Sequence, residues 1–378
     1  KNNVMFRKSY FFLVSFLISV LSVSAQDADE DVLGRDGTRI VSSAVPFLTL
    51  APDIRSAALG DAGSALSADG NAAHWNGARL AFIENASYGA SLSYTPWLKR
   101  LINDMSLTYV SGFYKLSQEE TIALSLTYFN LGKMIFRDNN GEQIGNEFNP
   151  KEYAISGTYA RKLSQKLSIA LSLKYIRSNL AGNTPINNGG GQTKPGNSAA
   201  ADVGVFYKTK FVVSGQEVKW NLGANISNLG AKISYSTNDR AEFLPTNLRL
   251  GTALTTDIDE YNAITFTIDA NKLMVPTPPI YYSDSLDANG NQVIFDGKDP
   301  DRSFMNGVFG SFSDAPDGFS EEMQEVMLSA GVEYWYDQIF AVRGGYFHEH
   351  SQKGARKYYT LGFGLKYQVF AFDFAYLI

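Results

Sequence analysis

The sequence predicts an all-β fold: a transmembrane antiparallel β-barrel of about 14 strands, with an N-terminal segment folded into its lumen as a hatch. Three observations predict it. From residue 85 onward, large apolar residues alternate with small or polar ones. The connectors between these stretches are alternately short and long. Ahead of the first stretch lies "DIRSAALGDAGSALSADGNAAHWNGARLA", Asp53–Ala81. It is too rich in Ala, Gly and Ser to bury much surface alone, yet it holds Leu59, Leu66, Trp75 and Leu80, which need burial.

Residues 1–25 read as a secretory signal peptide. Arg7 and Lys8 precede an apolar run from Tyr10 to Val23, and Ser24-Ala25 supplies a small-residue exit. The run is short of the roughly 20 residues a transmembrane helix needs, and cleavage is expected after Ala25. Residues 26–84 then form an N-terminal periplasmic segment and the hatch. The small residues let short turns approach a Gly/Ser/Ala-lined wall, and glycine permits tight turns at a cost in helix stability.

Residues 85–378 form the barrel. In "TIALSLTYFNL", Ile122, Leu124, Leu126 and Tyr128 share one face, while Thr121, Ala123, Ser125 and Thr127 share the other. "LSIALSLKY", starting at Leu167, repeats the pattern, as do "VKWNLGANIS", "LRLGTAL", "VMLSAGVEYW", "YTLGFGLKY" and "FAFDFAY". Side chains alternate across a strand. A water-facing row in a soluble sandwich would carry many Lys and Glu. This row carries Ser, Thr, Gly and Ala with isolated charges at Lys174, Asp202, Arg249, Asp269, Glu333, Arg343, Lys366 and Asp373. A confined lumen explains the small face and lipid the apolar one. Lipid in turn demands that all backbone groups be paired, hence closure.

Thirteen strands are expected: 86–96, 104–115, 120–131, 152–163, 166–178, 200–212, 217–228, 246–256, 261–272, 323–335, 338–348, 357–367 and 369–378. Bacterial single-chain barrels use even numbers, so either one strand goes unread here or the chain stops before the closing one, and the second is the expectation. Short periplasmic turns and long extracellular loops are the outer-membrane arrangement, which places 133–150, 180–198, 229–244 and 274–322 outside.

Composition removes several functions. Loss of the leader with Lys1, Arg7 and Lys8 takes 33 basic residues to 30 against 38 acidic, a net −8. That balance argues against nucleic acid as a partner. No cysteine is present, which removes thiolate chemistry and disulfides. The three histidines, His74, His348 and His350, are scattered, and no nucleophile elbow or zinc-binding helix motif occurs. "DANGNQ" from Asp287 and "RDNNGEQIG" from Arg137 lack the calcium-loop spacing and read as turns. No catalytic residue, cofactor or metal is expected.

"ALGDAGSALSADGNAAHWNGARLA" resembles the hatch motif of the FadL-type barrels, with Asp69, Trp75, Asn76, Ala78 and Leu80 at the motif positions and Gly77 where Pro is usual. The further stretch "RIVSSAVPFLTLAPDIRSAALGDAG", with the strands that follow, resembles the PorV family of the Bacteroidetes type IX secretion system across essentially the whole mature chain. The resemblance implies a fourteen-stranded barrel in the outer membrane. It also implies partners: the giant translocon barrel, the C-terminal signal domains of secreted proteins, and the sortase-containing attachment complex. In gliding members of the phylum this role supports motility.

Two candidate sites follow. The hatch set is Asp69, Trp75, Asn76 and Leu80. The second lies in the longest loop, where "SFMNGVFGSF" gathers Phe304, Met305, Val308, Phe309 and Phe312 into an apolar cluster of the kind that marks contact with a partner. The main expectation is a non-enzymatic secretion component that carries signal domains between translocon and attachment complex. A FadL-type transporter of fatty acids is the first alternative, and an outer-membrane acyl hydrolase the second.

Overall fold

Alternating Leu, Ile, Val, Tyr and Phe make extended chain because such side chains fit a pleated surface, and each stretch pairs with its neighbour in sequence. The computed structural model of the protein describes residues 39–84, 86–99, 104–135, 141, 143, 147–180, 182, 193–236, 241–287 and 291–378. The expected leader with its cleavage point, most of the stretch Arg137–Gly145 read as a turn, and residues 288–290 of the stretch Asp287–Gln292 read likewise lie outside the described residues.

Thirteen strands form one antiparallel sheet in sequential order: β1 (Tyr88–Pro96), β2 (Ser106–Lys115), β3 (Glu120–Asn130), β4 (Lys151–Lys162), β5 (Leu167–Asn179), β6 (Gly196–Val213), β7 (Gln216–Gly230), β8 (Asn247–Asp257), β9 (Asn262–Leu273), β12 (Met327–Tyr336), β13 (Phe340–His348), β14 (Lys357–Tyr367) and β15 (Phe370–Leu377). β10 (Ile280–Leu286) and β11 (Gln292–Asp296) pair separately as a hairpin within the β9–β12 connector. All thirteen expected strands are present. β1 and β15 are the edges of the sheet and are not paired with each other.

Register sorts the side chains into rows. Ser111, Ser125 and Ser156 stand directly opposite one another across β2, β3 and β4, and all three are buried. In the next row stand Val110, Leu126 and Ile155, all exposed. A slip of one residue would exchange these faces. Leu124 is 63% exposed and Ser125 7%, which makes the apolar face the outer one.

Residues 44–83 occupy the inner side and touch strands around the sheet. The Ser111 hydroxyl on β2 donates to the Gly70 carbonyl at 2.9 Å. Asn76 reaches Val205 on β6, and Gly60 N–H donates to Thr360 on β14 at 3.0 Å. The sheet therefore curves around this segment.

Two expectations need correction. The segment ahead of β1 was expected on the short-turn, periplasmic side. Instead Arg39 pairs with Asp317 and Glu321 in the longest connector, the Ala44 N–H donates to the Phe243 carbonyl at 3.0 Å, and Phe47 stacks on Phe129 at the end of β3. All of these partners lie at the long-connector mouth. The segment then descends the lumen, and Phe82 meets Phe206 near the short-turn end. The cause is burial: Val45, Phe47 and Leu48 cluster with Leu107, Phe129, Ile176 and Leu244. The second correction concerns the longest connector. It was read as loop, but it holds the β10–β11 hairpin and two short helices, Phe304–Gly310 and Phe319–Gln324.

Candidate functional site

The hatch is built around one carboxylate. Asp53 caps the short helix Ile54–Ala57, its Oδ2 accepting the Ser56 N–H at 3.0 Å, which satisfies a donor the helix start leaves free. Its other oxygen accepts the indole N–H of Trp75. Trp75 is 1% exposed, and the Arg249 guanidinium of β8 lies 4.5 Å from its ring centre, a cation–π contact. The His74 ring meets Trp75 edge-on, 5.0 Å away.

Asn76 does two jobs with one amide. Its Nδ2 donates to the Val205 carbonyl on β6 at 2.9 Å and to the Ser64 carbonyl at 3.2 Å. Its Oδ1 accepts the Ala78 N–H at 3.1 Å and starts the 3-10 turn Gly77–Phe82. The Ser64 carbonyl approaches β7 so closely that a Cβ on Gly223 would lie 2.1 Å from it. Gly60 turns at φ +66°, with the Tyr346 backbone in the space a Cβ would take, so only glycine fits there. Leu80 is fully buried in a cluster with Ala72, Ala78, Phe82, Ala123 and Phe206.

Ion pairs tie the hatch to itself and to the wall. The fully buried Arg79 donates to the carbonyls of Leu66, Gly63 and Ser67 and lies 3.1 Å from the Asp69 carboxylate. Arg55 bridges Asp69 at 2.7 Å to Glu333 of β12, also at 2.7 Å. Glu333 accepts from Arg343 of β13 at 2.7 Å, and Arg343 reaches Asp373 of β15 at 2.5 Å. Lys174 and Asp202 pair at 3.1 Å. Buried charges are costly unless paired in this way. The charges that looked isolated in sequence are thus largely each other's partners.

A second network stands at the long-connector mouth. Lys272, at the end of β9, contacts Glu322 at 2.9 Å and Glu325 at 2.5 Å. Lys353 contacts Glu321 at 2.6 Å and Glu325 at 2.8 Å. Arg39 contacts Glu321 at 2.8 Å. Burial works against the Glu321 charge, yet Arg39 and Lys353 outweigh it and hold that carboxyl down at about 2. The Glu322 carboxylate also accepts the N–H groups of Asp314 and Ala315. The helix Phe319–Gln324 is thereby clasped to the wall, the hatch entry and the preceding loop at once.

The structure brings Asp69, Trp75, Asn76 and Leu80 together in one packed unit. The loop cluster divides instead. Met305, Phe309 and Phe312 are exposed, but Val308 is fully buried and Gly307 packs on Phe243. Val308 is therefore corrected from a surface contact to the residue that seats its helix. Phe319 and Met323 on the second helix are exposed as well. His348 ends β13, and His350 caps the turn Ser351–Lys353. Asp53, Arg55 and Arg79 went unremarked in the sequence. Asp53 three residues before Ser56 is a legible cap signal, whereas the partners of Arg55 are far apart in the chain.

Fold and site together define a transmembrane β-barrel whose lumen holds the N-terminal segment. The family of type IX secretion system protein PorV matches residues 34–280. The chain belongs to that family, and it is an outer-membrane protein of type IX secretion. The comparison with curated protein sequences gives no match. Among solved structures, it is similar to the Ralstonia pickettii toluene transporter TbuX at 12% identity and a TM-score of 0.41, over 85% of this chain and 91% of that one. The Pseudomonas putida toluene transporter TodX gives 12% and 0.43, over 85% and 90%. A Pseudomonas aeruginosa FadL homologue gives 9% and 0.40, over 90% of each chain.

Proposed function

We propose that this protein is a non-enzymatic carrier that binds the C-terminal signal domain of secreted proteins at the cell surface, takes them from the giant translocon barrel and passes them to the sortase-containing attachment complex. The observation that carries this reading over a hydrophobic-compound channel is the contrast between lumen and mouth. The lumen holds a cavity of about 50 Å³ beside Trp75, Arg249, Asn271 and Met327, and another of about 10 Å³ beside His74, Tyr109 and Lys174. Ligand pockets run to about 300–1,000 Å³, so neither has room for a fatty acid. The mouth instead presents Met305 and Phe309 outward on a helix seated by the buried Val308, with Phe312 exposed in the turn that follows. Large aromatic side chains tend to dominate protein contacts. Asp69, Trp75, Asn76 and Leu80 keep the lumen shut while this face works.

The test replaces Phe304, Phe309 and Phe312 together with Ser. Barrel assembly, read by heat-modifiable gel migration, should be unchanged, and mass spectrometry of the cell surface should show fewer secreted proteins. Normal display with collapsed fatty-acid uptake would favour the channel. Normal display and normal uptake would leave these side chains as a cap only.

A further inference from the structure

The hatch leaves the lumen beside three lysines. Lys115 ends β2, Lys162 ends β4, and Lys208 lies in β6. Two residues before each stand Phe113, Ala160 and Phe206, which pack on the hatch. By strand alternation the three lysines face the same way, inside the ring of strands. The Lys208 Nζ lies 4.4 Å from the centre of the Phe82 ring and the Lys162 Nζ 5.3 Å from it. The Lys115 Nζ donates to the Ile83 carbonyl at 2.7 Å. Three ammonium groups thus gather over the last turn of the plug.

Their counter-charge is incomplete. Glu84 pairs with Lys208 at 2.8 Å. Its carboxyl sits below the usual range, chiefly through the hydrogen bond from Lys208, with Lys162 and Lys115 adding to the effect. Among the described residues, Lys162 has no carboxylate within ion-pair distance and rests on the Phe82 ring. Other cations on this mouth are paired, Arg161 with Glu120, Lys210 with Glu217 and Lys219 with Asp257, whereas Lys166 in the β4–β5 turn reaches only the Thr209 hydroxyl, at 3.3 Å. Like charges gathered over one ring repel, and a cation–π contact at a wet site offsets only part of that. The arrangement fits an anion supplied from outside.

The anion's source follows from direction. On the lipid side of the same strands stand exposed Tyr114 and Tyr159, next to Lys115 and near Lys162, in the manner of the aromatic girdle at a bilayer surface. Lipid headgroups therefore meet the outer face, and the strands stand between them and the lysines. Lys115, Lys162 and Lys208 each keep part of their surface exposed at this mouth, where a peptide from below can reach them.

We propose that Lys115, Lys162 and Lys208 form a docking site on the short-turn face for an acidic peptide segment of a periplasmic partner protein. The test uses the full chain in nanodiscs and a fluorescein-labelled oligoglutamate peptide, read by anisotropy. The peptide should bind, binding should weaken as salt is raised, and a variant with all three lysines changed to Gln should bind roughly tenfold or more weakly, a difference of about 1.4 kcal/mol. A second variant, Lys219→Gln, removes a paired rim charge and should bind as the parent does. Unchanged gel migration on heating shows that each variant is folded. The proposal is overturned if the parent fails to bind, if the triple variant binds equally well, or if phosphatidylglycerol vesicles, and not the peptide, lose binding with the three lysines.

Discussion

The Asp269 carboxylate on β9 accepts the backbone N–H of Ser64 in the hatch at 2.8 Å. The same oxygen takes the Gly63 N–H at 2.8 Å. One wall side chain therefore satisfies two consecutive backbone donors of a segment 205 residues away. It holds the plug by its main chain, so the plug's side chains here can stay small.

Asp269→Ala should orphan both N–H groups, at about 1–3 kcal/mol for each buried donor left unpaired. Asp269→Asn keeps an acceptor oxygen and should cost less. The temperature at which the barrel changes its gel migration should fall more for Ala than for Asn. Equal falls would mean that the loss of charge, and not of the acceptor, is what matters.

Trp75 fills the centre of the plug between Asp53 and Arg249. Trp75→Ala should cost about 3–5 kcal/mol and let small hydrophilic solutes through, seen as faster swelling of liposomes carrying the protein. Trp75→Phe keeps the ring but leaves the Asp53 oxygen without its donor. It should destabilise the plug less and leave swelling close to the parent rate.

Local pattern explains what the sequence revealed. Every strand of the main sheet was legible because Ser125 and Leu126 must face opposite ways, and one row was small while the other was apolar. The hatch was legible because Leu59, Trp75 and Leu80 sit among residues too small to cover them. The pairing of charges was not, since Arg55 and Glu333 meet only when β12 comes round beside the plug. The entry of the N-terminal segment at the long-connector mouth depends likewise on Phe47 meeting Phe129, a contact no local pattern encodes. Asn289-Gly290 was read as a turn and lies outside the described residues, and "IYYSDSL" and "QVIFD" on either side of it were not recognised as paired strands.

The clasp at the mouth carries a pH dependence. Glu321 titrates at about 2 in the folded protein against an ordinary 4.5. A depressed carboxyl stabilises above its unfolded value, and that contribution is lost as pH falls from 4.5 toward about 2. Protease access to the β9–β12 connector on intact cells should therefore be flat from neutral pH down to about 4.5 and rise only below it. Glu321→Gln, which removes the charge seen by Arg39 and Lys353, should raise access at neutral pH and flatten the acid response. An unchanged acid profile in that variant would place the switch on another carboxyl of the network.

The wall offers a test of facing. Leu171 is exposed on the outer face of β5, and an Arg there should cost roughly 2–4 kcal/mol near the bilayer midplane. Ser172 faces inward and shares a 2.8 Å hydrogen bond with Thr158, beside the hatch at Gly77. Ser172→Arg should spare insertion but crowd the plug. The first variant should reduce the amount of folded barrel recovered from membranes, and the second should chiefly raise solute leakage. Exchange of these two outcomes would mean that the faces are reversed.

Val308 and Phe309 are neighbours on one helix with opposite surroundings, the first fully buried and the second 62% exposed. Val308→Asp puts an unpaired carboxylate into the contact that seats the helix, and such a group neutralises itself or expels the helix. Protease should then cut the connector in otherwise assembled barrels, and surface display should fall because the face is no longer held in place. Phe309→Asp removes apolar surface from the outside while leaving Val308 and Gly307 packed. The connector should resist protease as the parent does, and yet display should fall. Loss of protease resistance in both variants would make the helix a structural cap. Retained resistance with reduced display in Phe309→Asp alone would assign the exposed face to partner contact.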